Sequence, residues 1–158
     1  MNARIFLLGL ALAVLLPGSV QARDAASGMV MVHDGWIRTA PPTAPVRAGY
    51  GMLMSHGTAE VVIDAVRSEA FERVEIHEIH EVDGVMRMRP VRELHLAPFQ
   101  TVQFKPGGMH LMLFGPKPSL QRDGGAEIIF LQGNEEVVRA RFQIRDGEPD
   151  DGEHEHAH

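Results

Sequence analysis

The chain has 158 residues, a formal net charge of −6 with histidine neutral, and no cysteine. No cluster of Lys and Arg is long enough to track a phosphate backbone, which argues against a nucleic-acid partner. The missing cysteine excludes disulfides, thiol redox chemistry and thiolate ligation of a metal within these residues.

At the start of the chain, Arg4 precedes an apolar run over residues 5–16, and Ser19-Val20-Gln21-Ala22 has the small residues of a secretory cleavage site. Residues 1–22 therefore read as a signal peptide. The apolar run is shorter than the roughly 20 residues a permanent span needs, and no second one follows. The expectation is an exported protein with no stable membrane insertion after cleavage. Residues 23–145 are then one domain, long enough to enclose a single core.

Strand-like runs follow one another at residues 29–33, 48–54, 61–66, 71–79, 85–88, 101–104, 109–114, 126–131 and 137–144, bounded by Gly, Pro, Asp and Asn. Short strands at this spacing predict an all-β sandwich or barrel, with little helix beyond a turn near residues 116–120. Turns are expected at Pro41-Pro42, Pro106-Gly107-Gly108, Asp123-Gly124-Gly125 and Gly133-Asn134, with Asp83-Gly84 the strongest hairpin signal. From Asp146 onward the chain is rich in Gly, Asp, Glu and His and too polar to bury itself, so residues 146–158 are expected to be a disordered tail.

One constellation stands out within this frame. His77, ten residues, Met88, twenty-one residues, His110, one residue, Met112 supplies two imidazoles and two thioethers. Neutral thioether sulfur is a poor ligand for hard divalent ions and a good one for Cu(I), so this set points to monovalent copper. Thioethers also survive in an oxidising compartment, where a cysteine pair can be lost to a disulfide. Alternation along residues 109–114 gives Met109, Leu111 and Leu113 one face and His110, Met112 and Phe114 the other. His110 and Met112 then project together, with Cα atoms about 6.5–7 Å apart. In the preceding run Val74 and Ile76 share one face, with Arg73, Glu75 and His77 on the other. Beyond the Asp83-Gly84 turn, Met86 and Met88 share a face, which makes Met86 an auxiliary candidate. The plainer alternative stays open here: methionines in apolar β runs are most often packing residues, and a single histidine most often makes an ordinary hydrogen bond.

The segments Val74-Glu75-Ile76-His77-Glu78, Asp83-Gly84-Val85-Met86-Arg87-Met88-Arg89-Pro90-Val91 and Gly107-Gly108-Met109-His110-Leu111-Met112-Leu113, with Trp36-Ile37-Arg38 upstream, closely resemble the periplasmic copper chaperones called PCuAC. The family's ligand spacing maps onto His77, Met88, His110 and Met112 without a gap. The resemblance implies a cupredoxin-like Greek-key β-sandwich that holds one Cu(I) near its surface. It further implies a periplasmic carrier, not an enzyme, passing copper toward the copper-A subunit of cytochrome c oxidase or to another copper chaperone. Periplasmic copper buffering or resistance without a specific acceptor would use the same ligands.

The tail sequence Glu153-His154-Glu155-His156-Ala157-His158 adds harder donors, and His154, His156 and His158 are candidates for Cu(II). A merely solvated acidic tail is the alternative. His77-Glu78-Ile79-His80-Glu81 superficially suggests a zinc protease, but its second histidine comes three residues after the first and the run reads as a strand. Ser55-His56 lacks the glycines of a nucleophile elbow, and a blue-copper carrier would need a cysteine. His33, His56, His80 and His95 share no spacing with the ligand set and read as ordinary polar residues.

Overall fold

The computed structural model describes residues 29–120 and 124–147. Residues 1–22, read from the sequence as a signal peptide, and the tail with His154, His156 and His158 lie outside these residues. The strands are β1 (Val30–Arg38), β2 (Val46–Ser55), β3 (Val61–Ile63), β4 (Ala65–Arg67), β5 (Phe71–Val82), β6 (Val85–Val91), β7 (Leu94–Leu96), β8 (Thr101–Phe104), β9 (His110–Pro116), β10 (Gly125–Gln132) and β11 (Glu135–Arg145). Among the described residues, helix appears only as the turn at Ser119 and Leu120. The all-β expectation holds.

The strands run in the order β1-β11-β10-β4-β5-β9-β2, and pairing of β1 with β2 closes the circuit into a flattened barrel. The β1–β11 contact is parallel, whereas the pairs along β5, β9 and β2 are antiparallel. Closure leaves an inner face that Leu53, Leu111, Leu113, Ile128, Phe130 and Phe142 fill completely. β6 and β8 attach outside the circuit, to β5 and β2 respectively.

Local chemistry sets the connections. Asp83 (φ 54°) and Gly84 (φ 75°) both lie in the left-handed region, giving the two-residue hairpin turn that joins Val82 to its partner Val85. Between β8 and β9 the N–H of Gly108 donates to the Lys105 carbonyl at 3.1 Å, with Pro106 and Gly107 (φ 76°) at the centre. That is the residue choice of a type II turn.

Two features depart from the expected strand list. The run at residues 61–66 is split at Asp64, whose carboxylate accepts the backbone N–H of Gly133 at 2.8 and 2.9 Å. β3 therefore pairs with β7 in a separate two-stranded sheet, while β4 joins β10 and β5. The second departure is β7 itself, whose three residues are too few to show a period. Its ends, Leu94 and Leu96, are nonetheless buried.

β5 and β9 carry the inner-face residues that anchor their pairing. Leu111→Ala should lower unfolding free energy by about 2–5 kcal/mol, through lost transfer energy and the cavity left behind. Chemical denaturation at constant m-value is the check, and a loss below about 1 kcal/mol would mean that Leu111 does not anchor this face.

Candidate metal site

The pairing of β5 with β9 sets His77 directly opposite His110, Glu75 opposite Met112 and Arg73 opposite Phe114. On its other edge β5 pairs with β6, with His77 opposite Pro90 and Ile79 opposite Met88. Directly opposed residues share a face, so His77, Met88, His110 and Met112 all project from the outer face of the β6-β5-β9 ladder. Val74, Ile76, Leu111 and Leu113 project inward. The face assignment read from alternation is the one the structure has.

His77 is the centre of the set. His110 is its direct neighbour, with ring centroids 6.2 Å apart, and Met112 and Met88 lie on its two diagonals. Imidazole nitrogens bind first-row metals at about 2.0–2.1 Å, so two rings sharing an ion stand on the order of 6 Å apart. The two histidines and Met112 belong to strands of the closed barrel. Met88 belongs to the arm formed by β6 and the end of β5, past the point where β9 begins, and is 51% exposed. Met86, opposite Glu81, sits two residues nearer the arm's tip on the same face and is 59% exposed. It is the more remote of the two from His77 and His110.

Hydrogen bonding fixes which ring nitrogens are available. His77 Nε2 lies 2.8 Å from a Glu75 carboxylate oxygen, an acceptor, so Nε2 carries the proton and donates. His77 Nδ1 is left as a lone pair that is buried and has no protein partner. A buried polar atom with nothing to bond is costly unless something arrives to fill the position. His110 Nδ1 lies 3.0 Å from the Gly108 carbonyl and must donate to it, which leaves Nε2 as the basic nitrogen. One nitrogen pinned by an oxygen acceptor and the other free is the arrangement of metal-binding histidines.

Surroundings hold both rings in place. Glu75 also accepts from Arg73 Nε at 3.0 Å, and the Arg73 guanidinium lies 4.2 Å above the Phe114 ring. On the other flank Tyr50 stacks 6.5 Å from His110, and Trp36 lies 4.6 Å from Tyr50. A row of rings, Trp36, Tyr50, His110 and His77, thus crosses four strands. Trp36, Tyr50 and His110 are buried, and the His77 side chain is 12% exposed. Among the described residues no group of three or more His, Asp or Glu side chains gathers to hold an ion. The register instead brings two imidazoles and two thioethers to neighbouring positions on one face.

Sequence reading missed Glu75, Gly108 and Tyr50 as supporting groups. Glu75 was within reach of pattern alone, since it sits two residues from His77 on the same face. Gly108 and Tyr50 depend on the turn geometry and on a cross-strand neighbour. His80 and His95 are the ordinary residues expected: His80 lies 2.8 Å from Glu78, and His95 3.2 Å from Glu60. The protease-like run lies within β5, where a zinc-protease helix is impossible.

Residues 30–140 match the family described as putative lipoprotein LpqE-like. The chain belongs to this family. A curated relative, the putative lipoprotein Lxx21020 of Leifsonia xyli subsp. xyli (strain CTCB07), is 29% identical over 110 residues, 69% of this chain. The aligned part spans 65% of that relative's length. Among solved structures, the copper-bound PCuAC domain from PmoF2 superposes with a TM-score of 0.60 at 17% identity, covering 77% of this chain and 96% of that domain. The apo PCuAC domain from PmoF1 gives 0.59 at 21% identity, covering 77% and 97%. The cupredoxin-like fold implied by the sequence resemblance is the fold of this chain.

Glu75→Ala should release His77 from its fixed tautomer and weaken binding of a soft probe ion, Ag(I), by about 10–100-fold, the usual effect of losing a carboxylate behind a metal-binding histidine. Stability should fall by about 1–3 kcal/mol at most, the cost of leaving the mostly buried His77 Nε2–H without its acceptor. Isothermal titration beside a thermal melt separates the two, and unchanged Ag(I) affinity would remove Glu75 from the site.

Proposed function

We propose that this protein is an exported Cu(I)-binding metallochaperone whose site is His77, His110, Met112 and Met88, delivering copper to the copper-A centre of cytochrome c oxidase. The observation that carries the copper-binding part is the buried, unpartnered Nδ1 of His77 beside the His110 ring, with a thioether on each diagonal. Two neutral imidazoles and two thioethers suit Cu(I) in charge and softness. The soft donor set around His77 and His110 supports the reading of a carrier, not an enzyme.

The asymmetry of the site supports transfer. Three donors rest on the barrel and Met88 on an exposed arm, so an acceptor's ligand can take the Met88 position before the histidines release the ion. Such stepwise exchange keeps copper coordinated throughout. The partner is then a protein offering soft ligands, either the copper-A subunit or another copper chaperone. The structural neighbour from PmoF2 is described as copper-bound, which favours the same cargo here.

Export rests on the signal-peptide reading of residues 1–22 and agrees with the lipoprotein descriptions of the relatives. The chain has no cysteine on which a thioether-linked or thioester-linked lipid could be built. We read the domain as periplasmic, with any lipid attachment made elsewhere than at a cysteine of these residues. In this reading the tail histidines His154, His156 and His158 collect Cu(II), while the barrel site holds Cu(I).

Anaerobic Cu(I) titration against a competing chelator tests the site. The chain should bind one ion tightly at this site, and Met88→Ala with Met112→Ala should weaken it by more than about 100-fold, since even groups behind the ligands are worth 10–100-fold. Cu(I) retention unaffected by the double substitution would sink the assignment. Delivery and buffering part company in a deletion strain. Delivery predicts lost oxidase activity under copper limitation, restored by added copper; buffering predicts copper sensitivity with normal oxidase. For the tail, removal of residues 148–158 should abolish Cu(II) capture and leave Cu(I) affinity in place, and unchanged Cu(II) binding would refute its role.

A further inference from the structure

A second group of soft donors lies on β1 and β2. Met31 stands directly opposite Met54, and His33 opposite Met52. The N–H of His56 donates to the Met29 carbonyl at 2.6 Å, which adds a third pair at the open end. The alternate pairs, Val30 with Ser55 and Val32 with Leu53, take the inner face: Val30, Leu53 and Ser55 are buried, and Val32 packs against the core. Alternation therefore puts Met31, His33, Met52 and Met54 together on the outer face, followed by Met29 and His56.

These methionines do not fill the core, which lies behind them. Met29 and Met31 are 42% and 46% exposed. Elsewhere the outer face of the barrel carries charge, as on β10 and β11, where Arg139 pairs with Glu127 and Glu136. A half-solvated sheet face is normally polar in this way. The residues flanking the methionines are neutral: Gln103 stands opposite Met52 and Thr101 opposite Met54, on β8. A strip of thioethers with a histidine among them, half-exposed and with neutral partners on β8, is chemically a soft-ion surface.

Reach is favourable. Directly opposed side chains on an antiparallel pair have Cβ atoms about 4.5–5.5 Å apart, close enough for thioether and imidazole to share an ion. The strip also abuts the first site. Along β2 the outward residues run Ala48, Tyr50, Met52, Met54; Ala48 is opposite Met112, and the Tyr50 ring neighbours His110. A bulge in β1 between His33 and Trp36 lets both side chains face outward although they are an odd number of residues apart. Gly51 (φ 149°) sits opposite that bulge, where a Cβ would stand 3.1 Å from the His33 carbonyl oxygen.

We propose that His33, Met31, Met52 and Met54 form a second binding site for a soft monovalent ion, Cu(I) or Ag(I), with Met29 and His56 as the outer pair. It stands on different residues from the site of the proposed function and does not depend on it.

The test is Ag(I) titration of the full chain carrying 13C-methyl methionine, observed by NMR. The methyl signals report each methionine separately and are blind to the histidine tail. In a His77→Ala, Met88→Leu, Met112→Leu variant, the Met31, Met52 and Met54 methyls should still move and saturate at one equivalent. Signals that stay in place through a severalfold excess of Ag(I) would overturn the proposal. In the unsubstituted chain, the Met88 and Met112 methyls report the first site independently, so either site can fail alone. Met31→Leu with Met54→Leu keeps shape and apolarity, and should lower the Ag(I) bound in equilibrium dialysis by one ion per chain with the amide spectrum preserved. Unchanged stoichiometry with those two leucines would likewise overturn it.

Discussion

The pairing of β5 with β9, with His77 across from His110, is the constraint on which the rest of the structure depends. A slip of β9 by one residue against β5 would turn His110 and Met112 into the barrel and push Leu111 and Leu113 out into water. That slip is opposed by the inner face itself, where Val74, Ile76, Leu111 and Leu113 are all buried. Each fully buried aliphatic side chain contributes about 1.5–3 kcal/mol relative to exposure, so misregister would forfeit several such contributions at once. Hydrophobic burial on one face thus sets the geometry of polar and soft groups on the other. The type II turn at residues 105–108 completes the arrangement, because it also presents the Gly108 carbonyl that holds His110.

What the sequence could express was the part governed by short-range chemistry. Alternation along residues 71–79 and 109–114 was enough to separate Leu111 and Leu113 from His110 and Met112, and Asp83-Gly84 was enough to specify the hairpin that carries Met88. Convergence of the ligands was not readable in that way. It depends on β5 lying between β6 and β9, a long-range choice made by the whole barrel. The split at Asp64 was hidden for a similar reason, since the carboxylate answers a Gly133 N–H far away in the chain. β7 was missed because three residues cannot establish a period.

The β1–β2 strip shows a different limit. Met29-Val30-Met31-Val32-His33 and Met52-Leu53-Met54-Ser55-His56 repeat one pattern of soft donors at alternate positions, and this was visible in the chain. Without the register, each methionine had the ordinary explanation of packing, and His33 and His56 shared no spacing with the other histidines. Antiparallel pairing changes the weight of that pattern by setting the two segments against each other, residue by residue. The bulge matters as much. An unbroken β1 would have sent Trp36 inward once His33 faced out, and the ring row ending at His77 could not have formed.

Both donor groups are neutral, and this neutrality governs how an ion would behave on the molecule. A thiolate or carboxylate site gains affinity from charge and gives it up slowly, whereas imidazole and thioether hold a monovalent ion by softness and number of contacts alone. Losing one contact then costs only a fraction of the whole, and the ion can be passed ligand by ligand. The barrel supplies rigidity where it is useful, at His77, His110 and Met112, and leaves Met88 on a two-stranded arm with few neighbours. The second group of soft donors begins just beyond Tyr50, so the outer face of β6, β5, β9, β2 and β1 carries thioethers and imidazoles along its length, with the Arg73–Glu75 pair among them.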